Sequence, residues 1–319
     1  MRVREAVVAL AAIATLIVAC TSPAESPGAS PSVHSQEPSP PMPTTPSAAT
    51  PNPDRFGFTD ELPTTTVISA ETTDGVTVTD LTFEEPGVSP TEAYLVTPES
   101  GEPGPGIIWF HWVEYGSPTS NRTEFLDEAR AMATRGAVSL LVQGTMPWLE
   151  PPESIAHDVA TVEQEVRMLR RALFVLDARP EVDNTRLAIV GHDFGAMYAS
   201  LYFGADGHQN ALVMMAPTAR WADWFYRYWK ISDPEDEYLA AMAGLDPVTW
   251  LPLANPRPVL LQFASNDEYV PRDVAEEISA AAGSSAETRS YDTTHEMNEQ
   301  AREERDAWLA DQLGLPATE

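Results

Sequence analysis

The sequence predicts an α/β fold, with a mostly parallel sheet covered by helices on both faces. Three observations carry that expectation. Short continuous apolar runs, among them Ile107–Phe110, Val138–Val142 and Val259–Phe263, read as strands buried on both sides. Between them lie segments whose apolar residues recur at spacings of three and four, the signature of helices with one buried face. Finally, the apolar run Leu187–Val190 enters a Gly-flanked turn and passes at once into a helical stretch, Ala196–Phe203.

Taken in order, Val76–Phe83 alternates and reads as a half-buried strand, and Ala93–Val96 as a second, ended by Thr97-Pro98. Gly104-Pro105-Gly106 breaks the chain before the strand Ile107–Phe110. Thr123–Thr134 is helical and stops at Gly136, and Val138–Val142 is a buried strand. Val159, Val162, Val166, Leu169, Leu173 and Leu176 make 158–177 an amphipathic helix. Asn184 turns the chain into Leu187–Val190. Leu212–Met215 and Val259–Phe263 are further strands, separated by a segment of about forty residues, 217–257, that is long for a plain loop. Val274–Ala282 is a helix, Glu287–Tyr291 the last strand, and 296–313 a closing helix stopped by Gly314.

The N-terminal part has a different character. Arg2 and Arg4 precede an apolar run, Ala6–Ala19, too short to span a bilayer, so residues 1–20 read as an export signal. Ile17-Val18-Ala19-Cys20 resembles a bacterial lipobox, with Cys20 as the lipidated new N-terminus. An ordinary cleaved signal with an incidental Cys is the other reading. Cys20 is the one Cys in the chain, so no intrachain disulfide forms. Residues 21–57 are a Pro/Ser/Thr-rich tether holding ten of the 29 prolines, with too little apolar surface to fold. The folded domain is expected over 58–319, with a lid at about 217–257. The expected location is the outer side of the cell membrane, held by the anchor at Cys20.

A formal charge of −29 excludes a basic nucleic-acid footprint. His295-Glu-Met-Asn-Glu299 lacks the second His of an HExxH zinc site, so neither metal nor cofactor is expected.

The chemistry centres on Gly191-His192-Asp193-Phe194-Gly195. Strand, sharp turn with flanking glycines, then helix is the setting of the G-x-S-x-G nucleophile elbow, here with Asp193 at its tip. Asp267 follows the strand Val259–Phe263, and about thirty residues later His295 follows the last strand. Nucleophile, acid, His is the chain order of α/β-hydrolase triads, and nearly all of 58–319 resembles that superfamily. The layout is similar to dienelactone hydrolases. The elbow is similar to epoxide hydrolases and dehalogenases, which carry Asp there.

The resemblance implies Asp193 as nucleophile, His295 as base, Asp267 as its orienting acid, and the backbone N–H groups of Phe194 and Trp112 as the oxyanion hole. It also implies a pocket near Trp112, Glu114 and Trp148, with the lid aromatics Trp221, Trp224, Tyr226 and Tyr228. Tyr hydroxyls there would protonate an opening epoxide and Trp N–H groups would hold a halide; alternatively these rings only pack the lid. Asp193 is otherwise an N-cap, and Asp267 a turn residue beside an orienting Glu268.

An Asp with its reference pKa of ~4 is ionised at neutral pH and attacks without a base. Attack on an ester carbonyl would give an anhydride, whereas attack on an epoxide or organohalide carbon gives an alkyl ester that His295-activated water cleaves. The leading expectation is therefore a hydrolase of a small apolar epoxide or organohalide. An ester or lactone hydrolase with Asp193 as base, and a binding protein without activity, are the alternatives.

Overall fold

In a computed structural model of the protein, the described residues are 49–84, 89–99, 102–114, 116–144, 154–225 and 234–317. The signal segment, Cys20, most of the tether, Trp148, Tyr226 and Tyr228 lie outside them.

One nine-stranded sheet organises the domain, in the order β1-β2-β3-β5-β4-β6-β7-β8-β9. Its strands are β1 (Thr64–Thr73), β2 (Val76–Glu84), β3 (Thr91–Pro98), β4 (Gly104–Phe110), β5 (Val138–Val142), β6 (Val182–His192), β7 (Ala211–Met215), β8 (Val259–Ala264) and β9 (Ala286–Tyr291). β1, β2, β3 and β5 pair antiparallel. From β5 through β4 and β6 to β9 every pairing is parallel. The parallel strands β4, β5, β7 and β8 are buried along their whole length, as their continuous apolar runs require.

The helices are α1 (Leu126–Thr134), α2 (Ile155–Asp177), α3 (Phe194–Ala205), α4 (Trp221–Trp224), α5 (Glu235–Met242), α6 (Pro247–Trp250), α7 (Arg272–Ala282) and α8 (Glu299–Leu313). Two separate cores show that both faces of the sheet are covered. One joins Phe110, Leu169, Tyr198, Trp221 and Ile278 from β4, α2, α3, α4 and α7. The other joins Trp109, Phe125, Met132 and Leu309 from β4, the α1 region and α8. Successive residues Trp109 and Phe110 enter opposite cores because side chains alternate across a strand. α4, α5 and α6 fall in the expected lid.

Two expectations need correction. The tether boundary at 57/58 falls too late: Pro53–Phe56 forms a short 3-10 turn capped by Asn52, and Phe56 is fully buried. Its ring lies 5.1 Å from that of Trp250 and 5.6 Å from that of Phe58. The proline content masks this anchor, since Pro53 fits the first position of such a turn. β1 was not expected at all. All ten of its residues are exposed, so no apolar alternation marks it, and its pairing with β2 defines it instead.

Candidate active site

The elbow forms where β6 ends and α3 begins. Asp193 sits at φ 56°, ψ −121°, a conformation that non-glycine residues rarely adopt. A Cβ on Gly191 would lie 2.4 Å from the Gly195 carbonyl oxygen, and one on Gly195 would lie 2.3 Å from that of Phe110. Only glycines let the turn close this tightly against the end of β4. The N-cap reading of Asp193 is corrected: it precedes α3, but its side chain makes no capping hydrogen bond. Its Oδ2 instead accepts the Val113 N–H at 3.0 Å.

His295 stands in the loop after β9. Its Nδ1 lies 2.8 and 3.0 Å from the two oxygens of Asp267, and its Nε2 lies 3.8 Å from Asp193 Oδ1. Asp267 Oδ1 also accepts the N–H groups of Tyr269 and Val270, at 2.8 and 3.1 Å. Asp267 is therefore both the turn residue and the partner of His295, and Glu268 is not needed for that contact. Burial alone would lower the His295 pKa, but hydrogen bonds and charge from Asp193 and Asp267 outweigh it and push the ring up to about 10. The two acidic side chains thus favour the charged form of the ring.

The N–H that meets Asp193 is not that of Trp112, the expected oxyanion donor. The Trp112 N–H donates to Glu124 Oε2 at 2.6 Å, so Val113 is the residue whose N–H faces Asp193. His111 fixes this stretch. Its Nε2 accepts the Gly144 N–H at 3.0 Å, which leaves Nδ1–H to donate to the Trp112 carbonyl at 2.7 Å. Burial lowers the His111 pKa to about 4, which keeps the ring neutral. Phe194 opens α3 directly after Asp193, and its ring packs edge-on against Trp224 at 4.7 Å.

The lid tryptophans do not fit a halide clamp. The Trp221 indole N–H donates to the Leu245 carbonyl at 2.7 Å, and that of Trp224 to the Tyr269 carbonyl at 3.1 Å. Both rings are buried, Trp221 against Phe194 and Tyr198, and Trp224 beside His295. Glu114 is held through its backbone, with its N–H on Ser120 Oγ at 2.8 Å. No hydrogen bond or ion pair joins its carboxylate to Asp193 among the described residues.

Sequence reasoning missed the polar layer behind Asp193, Asp267 and His295. His192 Nδ1 lies 2.6 Å from Glu124 Oε1, and His192 Nε2 lies 3.0 Å from the His295 carbonyl oxygen. Further back, Arg305 pairs with Glu128 and donates to Gln262, which in turn donates to Tyr291 Oη and the Ala301 carbonyl. These bonds tie α8 and the His295 loop to the sheet. Among the described residues no cluster of His, Cys, Asp or Glu suits a metal ion.

No protein-family model matches the chain, and no curated relative matches its sequence. Solved structures do match its shape. The acetyl xylan esterase from Paenibacillus sp. R4 aligns with a TM-score of 0.64 at 16% identity, over 81% of this chain and 91% of that one. Acetyl xylan esterase 1 from Thermoanaerobacterium sp. JW/SL YS485 aligns with a TM-score of 0.62 at 15% identity, over 82% and 94%. A Klebsiella pneumoniae protein assigned as a dienelactone hydrolase aligns with a TM-score of 0.53 at 17% identity, over 72% and 94%. The fold is that of the α/β-hydrolases.

Proposed function

We propose that this chain is a hydrolase that opens a small apolar epoxide through a covalent ester on Asp193. One observation carries the reading: Asp193 Oδ2 accepts the Val113 N–H at 3.0 Å while Oδ1 lies 3.8 Å from Nε2 of His295, a ring whose charged form the flanking acids favour. Asp193 Oδ1 attacks an epoxide carbon, the carbon–oxygen bond breaks, and His295 gives its Nε2 proton to the departing alkoxide. Asp193 is then a neutral ester, so one of the charges that kept His295 protonated has gone. The neutral ring takes a proton from water, and the hydroxide attacks the ester carbonyl carbon. Negative charge develops on Oδ2, which the Val113 N–H already holds. Collapse releases the diol, restores the carboxylate and leaves His295 protonated again.

The same arithmetic ranks the substrates. A halide leaves without a proton, so His295 would have to discharge to solvent before serving as base, and the indole N–H groups of Trp221 and Trp224 are already committed. The anchor belongs to the same proposal: the basic start, apolar run and Cys20 support export and lipidation.

Single turnover of styrene oxide in heavy-oxygen water tests the mechanism. The label should enter Asp193 and not the diol, because the diol's new oxygen comes from the carboxylate. Label appearing directly in the diol would rule out the covalent ester.

A further inference from the structure

Three segments that must stay in register for this reaction meet at one side chain outside the triad. Glu124 precedes α1, and its side chain is 12% exposed. Through Oε2 it holds the Trp112 N–H, in the loop after β4. Through Oε1 it holds His192, in the elbow, and His192 in turn holds the backbone of His295.

The proton count at this junction follows from geometry. A carbonyl oxygen only accepts, so His192 Nε2, facing the His295 carbonyl at 3.0 Å, carries a proton. In a neutral imidazole Nδ1 is then bare, and the Glu124 Oε1 that faces it at 2.6 Å must donate. The alternative, an imidazolium at His192, would stack a second cation on His295, whose ring centroid is 5.4 Å away. Trp112 covers the His192 ring, at 5.1 Å and only 5° from parallel, and offers it no further counter-charge. Burial agrees: it lowers the His192 pKa to about 3 and raises that of Glu124 well above the carboxylate range.

The Trp112 end matters equally. The Trp112–Val113 peptide accepts at its carbonyl from His111 Nδ1–H at 2.7 Å and from Ser120 Oγ at 3.3 Å, while its N–H faces Asp193. Glu124 pins the preceding N–H, so the peptide cannot swing away from the nucleophile. A 290 Å³ cavity lined by Trp112, Glu124, Met215 and Arg305 lies behind it, leaving room for such a swing once the carboxyl is removed.

We infer that Glu124 is a positioning residue for the Asp193 reaction: a neutral carboxylic acid that fixes, from one point, the Val113 N–H and the loop carrying His295. This rests on the covalent-ester reading, so the test pairs turnover with a measurement that needs none.

Glu124→Gln mimics a neutral acid, since its amide N–H₂ donates to His192 and its carbonyl accepts from Trp112. Glu124→Ala removes both bonds. With styrene oxide, Glu124→Gln should keep kcat within about threefold, whereas Glu124→Ala should lose roughly a hundredfold in kcat with little change in KM. By NMR, the Val113 amide proton and the His295 ring nitrogens should keep their shifts in Glu124→Gln and move in Glu124→Ala. His192 should remain neutral, with its proton on Nε2, between pH 5 and pH 9 in the wild type. Equal damage from Gln and Ala, or a charged His192, would overturn the neutral-acid assignment. Unchanged Val113 and His295 shifts in a folded Glu124→Ala would overturn the positioning role. If wild type fails to turn over the probe, the NMR arm still decides the inference while the epoxide reading falls.

Discussion

His192 and His295 are stacked neighbours, both nearly fully buried, and their proton affinities diverge in opposite directions. His192 is driven down to about 3, first by burial and then by the charge of His295. His295 is driven up to about 10, because the bonds and charges of Asp193 and Asp267 outweigh its burial. Desolvation acts on both rings, so burial cannot explain the difference. Their partners can: two carboxylates on one side, a carbonyl and a carboxylic acid on the other. In the proposed reaction the front ring moves protons, whereas the rear ring holds a shape.

Breaking the front ring should have the largest effect. His295→Gln leaves Asp193 and the Val113 N–H in place, so attack on a strained epoxide should still occur once, more slowly, because water must supply the proton that His295 gives in the wild type. Water then lacks its base, and turnover should fall on the order of 10³-fold or more. Intact-protein mass spectrometry should show a stable adduct on Asp193. Complete loss of turnover without an adduct would mean that attack itself waits on the His295 proton, so that the acid role of the ring outweighs its role as base.

Removing one carboxylate from the front ring is the next test. Asp267→Asn deletes a hydrogen bond and a charge that raise the His295 pKa. The alkaline limit of activity should move to lower pH, and kcat should fall roughly a hundredfold or more as the ring loses its orientation. A pH–rate profile with an unmoved alkaline limb would show that Asp193 alone sets the ring's charge.

Stability should carry the same contrast, with a definite sign. The pKa of His295 rises on folding, so its contribution is fully present below the unfolded value of ~6.5 and is lost as pH rises toward 10. The pKa of His192 falls on folding, so below ~6.5 the unfolded chain takes up a proton that the folded chain refuses until about pH 3. Against His295→Gln, wild type should therefore lose stability on the alkaline side, by on the order of a few kcal/mol. Against His192→Asn, it should lose stability on the acid side. Urea midpoints measured from pH 4 to pH 9.5 would separate the two limbs, and limbs on the same side of ~6.5 would contradict the assignment.

Much of the front half was legible in the sequence, and the reason is local. Gly191 and Gly195 bracket a turn that only glycines permit, and the apolar run before it marks a buried strand. Asp267 and His295 each follow a strand end, where a parallel sheet collects functional groups. The rear half was not legible, because it depends on long-range contact. Glu124 is 68 residues from His192, and in sequence it reads as an ordinary acid near a helix start. That Val113 and not Trp112 turns its N–H to Asp193 has the same origin: which N–H turns inward depends on Glu124 claiming the other. The strand β1 was hidden for a different reason, since an exposed edge carries no apolar pattern.

The smallest expected effect sharpens the front side at its lid. Trp224 rests edge-on against Phe194 and beside His295, while its indole N–H is spent on the Tyr269 carbonyl, two residues past Asp267. That bond ties Trp224 to the Asp267 turn. Trp224→Phe keeps an aromatic face and deletes the donor. If the N–H is a brace, the variant should lose about 1 kcal/mol of stability, a typical value for one hydrogen bond. Its kcat for styrene oxide should stay within about threefold, since the triad geometry survives. If the N–H turns inward to hold a leaving group, stability would stay constant while rates with phenethyl bromide fell by roughly tenfold or more. Comparing the two probes on this one variant therefore separates a lid that packs from a lid that takes part in the chemistry.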